Sequence, residues 1–105
     1  MFHTEIQSRW TQFSICEQMA NIGVEVGRAI SWKKKKRDEM SKNAFYRSLE
    51  LIDLTLKDKK NRQSLKEICR TREFLVDYFL GSNTYQLTEQ QWEKYFSPFL
   101  YAARK

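Results

Sequence analysis

The chain has little that would punctuate or cross-link a fold: one proline, three glycines, two cysteines and a single histidine among 105 residues. So few breakers exclude collagen-like and Pro/Gly-rich low-complexity chains, and a 41% hydrophobic content excludes a disordered one. Cys16 and Cys69 stand too far apart to frame a zinc cluster or a disulfide scaffold, so they read as buried free thiols of a cytoplasmic protein. His3, the one imidazole, lies at the terminus, and there is no catalytic triad, Gly-rich phosphate loop or metal-ligand spacing. The expectation is a non-enzymatic protein with no cofactor and no metal. Glu50 and Asp53, at i and i+3, come nearest to a carboxylate pair, and they read as a solvated helix face partnered by Arg47 and Lys57. The start of the chain has no basic stretch followed by an apolar one, and no window approaches 18 apolar residues, so neither secretion nor a membrane partner is expected.

What is present is apolar spacing at three and four residues from end to end, with no alternating run that would suggest a strand. The class is all-α and the length that of one domain, 1–105. A first helix is expected over about 4–32, opened by a Thr4/Gln7 capping box, and a second over about 38–57. A third is expected over about 62–80, stopped by Gly81, and a fourth over about 88–103, opened by Thr88 and Gln91 and bent at Pro98. Short connections make these an up-down-up-down antiparallel four-helix bundle.

The first helix is apolar over an unusually wide arc. Ile6, Trp10, Phe13, Ala20 and Val24 form one stripe, and Ile15, Met19, Ile22, Val26 and Ile30 a second, with Gly23 and Gly27 joining them. Only Gln7, Thr11, Ser14, Gln18, Asn21 and Glu25 make a polar strip. More apolar surface than one bundle position needs predicts an oligomer seam along Ile15, Met19, Ile22, Gly23, Val26, Gly27 and Ile30; the competing reading is that the neighbouring helices wrap it. Glu17 and Arg72 each interrupt an apolar stripe at a similar height along their helices, which predicts a buried ion pair between them; the competing reading is that Arg72 snorkels to solvent and Glu17 rests at the seam edge.

Charge is concentrated. Lys33, Lys34, Lys35, Lys36 and Arg37 account for five of the six net positive charges, a density suited to phosphate backbones. The competing reading is a solvated run complementing the end of a helix. Lys59, Lys60 and Arg62, with Lys57, form a second basic group at the opposite end of the predicted bundle, near Arg104 and Lys105, so a monomer lacks one continuous basic face. On the fourth helix Trp92, Tyr95, Phe96 and Phe99 share a narrow arc and read as core, while Tyr46, Tyr85 and Tyr101 read as exposed.

The stretch Asn21-Ile22-Gly23-Val24-Glu25-Val26-Gly27-Arg28 resembles the N-I-small-x-x-x-G-R signature of the four-helix proteins encoded in ribosomal RNA intervening sequences, whose relatives include the accessory variability proteins of diversity-generating retroelements. Residues 44–51, AFYRSLEL, are similar to that family's aromatic-leading helix. The aromatic fourth helix departs from the family. The resemblance implies a non-enzymatic basic bundle that forms a homo-oligomer, commonly a pentamer, and helps RNA, DNA or a reverse transcriptase bind. Lys33 to Arg37 would be its contacts. A protein-interaction or assembly module without nucleic-acid binding is the alternative function.

Overall fold

The structure, a computed structural model, describes residues 9–104. His3, Thr4, Ile6, Gln7 and Lys105, with the Thr4/Gln7 cap expected above, lie outside the described residues. The chain is all-α: α1 is Ile15–Lys34, α2 is Asp38–Lys57, α3 is Leu65–Leu80 and α4 is Glu89–Ala103, with a 3-10 turn at Lys59–Ser64 before α3. No strand occurs among the described residues.

The first helix does not run unbroken. Residues 9 and 10 are helical, a turn occupies 11–14, and α1 begins anew behind Ser14. The cause is local: Ser14 Oγ accepts the Glu17 N–H at 3.1 Å and the Glu17 carboxylate accepts the Ser14 N–H at 2.9 Å, a complete capping box. Thr88 and Gln91 close the same box on α4 as expected, and α4 continues through Pro98 to Ala103. The third helix starts three residues later than its periodicity suggested. Asp58 accepts the Lys60 N–H and turns 59–64 into the tighter 3-10 form instead.

The core is built by Met19, Ile22, Val26, Ala29 and Ile30 of α1, Phe45 and Ile52 of α2, Ile68 and Leu75 of α3, Trp92 and Phe96 of α4, and Trp10 ahead of α1. α1 packs most heavily, against α2 on one side and α4 on the other. This is why the expected seam is wrong for four of its residues. Met19, Ile22, Val26 and Ile30 are no more than 6% exposed, covered by their own chain, and Ile15 is half-buried against the same core. At Gly23 a Cβ would stand 2.9 Å from Cβ and Cγ of Phe96, so the close approach this glycine permits is to α4 of the same chain. Gly27 alone opens outward, with nothing within 4 Å of a Cβ built there.

The helical wheel also misplaces part of the polar strip. Gln18 is fully buried and Glu25 nearly so, whereas Val24 is 42% exposed. With α2 and α4 clasping α1, positions 18 and 25 fall in the buried arc beside 19, 22 and 26. Glu25 meets Arg28 Nη1 at 2.9 Å and Arg47 Nε of α2 at 3.8 Å, which satisfies its carboxylate. The two cysteines are free thiols but not buried ones, Cys16 being half-buried and Cys69 exposed. Trp92 and Phe96 are buried, and Tyr46, Tyr85 and Tyr101 are 48%, 50% and 68% exposed, as their positions on the helices indicated.

Around Gln18 lies a polar cluster that the sequence did not reveal. Gln18 Nε2 donates to the Trp10 carbonyl at 2.8 Å and to Asp58 Oδ2 at 2.9 Å, while Gln18 Oε1 accepts from Asn61 Nδ2 at 2.7 Å. Asn61 Nδ2 also donates to the Thr55 carbonyl at 3.0 Å, and Trp10 Nε1 donates to Thr55 Oγ1 at 2.9 Å. Lys60 Nζ joins the Asp58 carboxylate to the Thr11 carbonyl. The cluster ties the segment ahead of α1 to the corner between α2 and α3.

Burial pushes the Asp58 carboxyl up, but hydrogen bonds from Lys60 and Gln18, with the Lys60 charge, outweigh it and hold the group below its ordinary 3.8. A carboxylate held lower in the folded than in the unfolded chain contributes stability above its unfolded pKa and loses it as pH falls through the folded one. Urea unfolding from pH 7 downward should show stability dropping below about pH 4. In Asp58→Asn that acid-side slope should shrink, from a lower starting stability at neutral pH. An unchanged slope would remove Asp58 from the acid response.

Candidate nucleic-acid interface

The basic run occupies the corner between α1 and α2, and every one of its five side chains is exposed. Its backbone is a Schellman stop: Arg37 N–H donates to the Trp32 carbonyl at 2.9 Å and Lys36 N–H to the Lys33 carbonyl at 3.0 Å. Such a stop needs a left-handed residue, normally glycine. Here Lys36 takes it, at φ 62°. An L-residue in that region costs about 1–2 kcal/mol, so the turn holds a cation where glycine would be cheaper.

Three of the five cations are oriented by neighbours. Lys33 Nζ stands 4.9 Å from the ring centre of Tyr78 and 5.6 Å from that of Phe79, and Lys35 Nζ stands 5.2 Å from Trp32. Lys34 Nζ pairs with Glu89 at 3.2 Å, linking the end of α1 to the start of α4. Both partners of that pair are substantially exposed, so it contributes about 0–1 kcal/mol. Burial, with the Glu89 charge, raises the Tyr78 phenol above its ordinary 10.0, and Lys34 opposes the shift. Tyr78, Phe79 and Glu89 thus belong to the site, brought there by α3 and α4. No local sequence signal joined them to the run.

The second basic group does not extend this surface. Lys59, Lys60 and Arg62 sit in the 3-10 turn at the far end of α2, about 30 Å away at 1.5 Å per residue over a 20-residue helix. Lys60 is further committed to Asp58 and Thr11, leaving Lys59 and Arg62 exposed.

The expected Glu17–Arg72 ion pair is absent. Glu17 closes the α1 capping box, because the break at 11–14 puts it in the first turn instead of mid-helix. Arg72 Nε donates instead to Asp53 Oδ1 of α2 at 2.9 Å, on the surface. Asp53 therefore has Arg72 as its partner, and Arg47 reaches Glu25, unlike the solvated pairing expected. Among the described residues no group of three or more His, Cys, Asp or Glu could hold a metal, and no helix is long and apolar enough to cross a membrane.

Against this geometry, no family model matches the chain, and no curated protein or solved structure does either.

Proposed function

We propose that the chain is a non-catalytic helical adaptor that holds the phosphate backbone of RNA or DNA at the α1–α2 corner, through Lys33, Lys34, Lys35, Lys36 and Arg37. The observation that carries this reading is Lys36, a cation retained in a left-handed turn position at a conformational cost. The rings beneath Lys33 and Lys35 support it too, because they steady the cations while leaving their charge exposed. We read the four helices as an up-down-up-down antiparallel bundle, which the Lys34–Glu89 and Lys33–Tyr78 contacts at one pole support.

Duplex binding through five phosphate contacts would give a log–log salt slope of about −4.5, and through four, if Lys34 stays on Glu89, about −3.6. Titrating DNA and RNA duplexes at several salt concentrations measures it, and a flat response removes the mechanism. Lys36→Gly separates charge from fold. It should stabilise the chain by about 1 kcal/mol, read by thermal melting, while reducing the salt slope by about 0.9.

A second reading, a protein-interaction module, is favoured by a groove of about 590 Å³ between α1 and α4, where Gly23 and Gly27 face Phe96 and Leu100. Replacing residues 33–37 with Ser and Gln separates the two, since nucleic-acid binding should vanish while assembly through the groove survives. Mass in solution by light scattering then shows whether copies associate.

A further inference from the structure

A second cleft, of about 250 Å³, opens between α3 and α4. Its walls are apolar and aromatic, from Phe74, Leu87, Trp92 and Tyr95, with the Trp92 and Tyr95 rings at 84° to one another. Thr71 lies at its base, and Glu67, Arg70 and Gln91 supply its polar edge.

The hydrogen bonds give this edge a direction. Thr71 Oγ1 lies 3.0 Å from the Glu67 carbonyl, which can only accept, so the single Thr71 proton goes there. Tyr95 Oη lies 2.9 Å from the same Thr71 oxygen and must therefore donate to it. The free lone pair of Tyr95 Oη is left as an acceptor. Burial raises the Tyr95 phenol above its ordinary 10.0, and the nearby Glu67 carboxylate adds to the rise, which places that carboxylate's field on the same corner. That corner is therefore acceptor-rich and negative.

One turn further along α3 stands Arg70, with the Gln91 amide also on the edge, and both can donate. Glu67 and Arg70, at i and i+3, form no ion pair with each other or with any other described residue. Trp92 Nε1 is the one buried side-chain polar atom of the described residues without a hydrogen-bond partner. An apolar box with a free carboxylate and a free guanidinium a helical turn apart is complementary to a molecule carrying an ammonium, a carboxylate and a flat apolar group.

We propose that the α3–α4 cleft binds an α-amino acid with an aromatic side chain, its ammonium at Glu67 and Tyr95, its carboxylate at Arg70, and its ring among Phe74, Leu87 and Tyr95. The site is separate from the basic corner and does not depend on the nucleic-acid reading.

The test is calorimetric titration of the full chain with L-phenylalanine, 2-phenylethylamine, which lacks the carboxylate, and 3-phenylpropionate, which lacks the ammonium. The Trp92 indole N–H resonance is followed in parallel. L-Phenylalanine should saturate the site and bind about tenfold or more tightly than either analogue. Glu67→Gln should weaken L-phenylalanine about tenfold while leaving 3-phenylpropionate unchanged, and Arg70→Gln should do the mirror image with 2-phenylethylamine. Both residues are exposed, so circular dichroism should show both variants folded. Absence of saturable binding, equal affinity for the three compounds, or folded variants that bind L-phenylalanine like the parent would each overturn the proposal.

Discussion

Replacing Gln18 with Leu is expected to destabilise the chain by about 2–4 kcal/mol, although it puts an apolar residue into a fully buried position. The substitution removes the hydrogen bonds from Gln18 to the Trp10 carbonyl and to Asp58 and the one it accepts from Asn61. The volume is nearly kept and each partner keeps one other hydrogen bond, the Trp10 carbonyl from Phe13, Asp58 from Lys60 and Asn61 to Thr55. Three bonds are nevertheless lost inside the fold, at about 0.5–1.5 kcal/mol each and about 1.5–3 kcal/mol for the one to the carboxylate. In a domain of this length the loss corresponds to a fall in Tm of roughly 10–25 °C. On the helical wheel Gln18 belongs to the solvated strip, where Leu would change stability by about 0.5 kcal/mol or less. Thermal melts of Gln18→Leu and of Asn21→Leu, one turn away and exposed, therefore distinguish the two placements. A neutral Gln18→Leu would mean that the polar cluster contributes nothing.

The second large effect concerns the glycine pair of α1. Gly23→Val should destabilise by about 1–3 kcal/mol, because its Cβ would stand 2.9 Å from the Cβ of Phe96, which is fixed to the α4 backbone and cannot swing aside. Gly27→Ala should stabilise by roughly 0.5–1 kcal/mol, since its Cβ meets nothing and the helix gains the propensity difference. Chemical denaturation of both variants gives the signs directly. If Gly27→Ala stabilises the fold yet abolishes association in solution, the groove reading of the protein gains its evidence.

The helices were legible because periodicity and caps are local. Residues 38–57 could be bounded from spacing alone, and the Thr88/Gln91 box marked α4. The break at 11–14 carried its own signal, Ser14 followed three residues later by Glu17, but the apolar rhythm running through it was the stronger pattern. Facing was less legible, because a wheel shows which side is greasy and not how much of the circumference its neighbours cover. That is why four of the seven residues expected in a seam, Met19, Ile22, Val26 and Ile30, are core, and why Gln18 and Glu25 lie inside. The Glu17–Arg72 expectation failed on register: restarting α1 at Ile15 shifted Glu17 to the first turn, where the backbone claimed its carboxylate. In the candidate site the cations were plain in the sequence, but the rings of Tyr78 and Phe79 and the left-handed Lys36 emerge only when α3 and α4 are in place.

The three tryptophans occupy three unlike surroundings: Trp10 buried with its N–H held by Thr55, Trp92 buried with its N–H unheld, and Trp32 half-buried beneath the Lys35 ammonium. Their emission is therefore a set of native reporters, in which collisional quenchers should reach Trp32 first. Ligand arriving at the α1–α2 corner should shield that one fluorophore while the other two stay dark to the event.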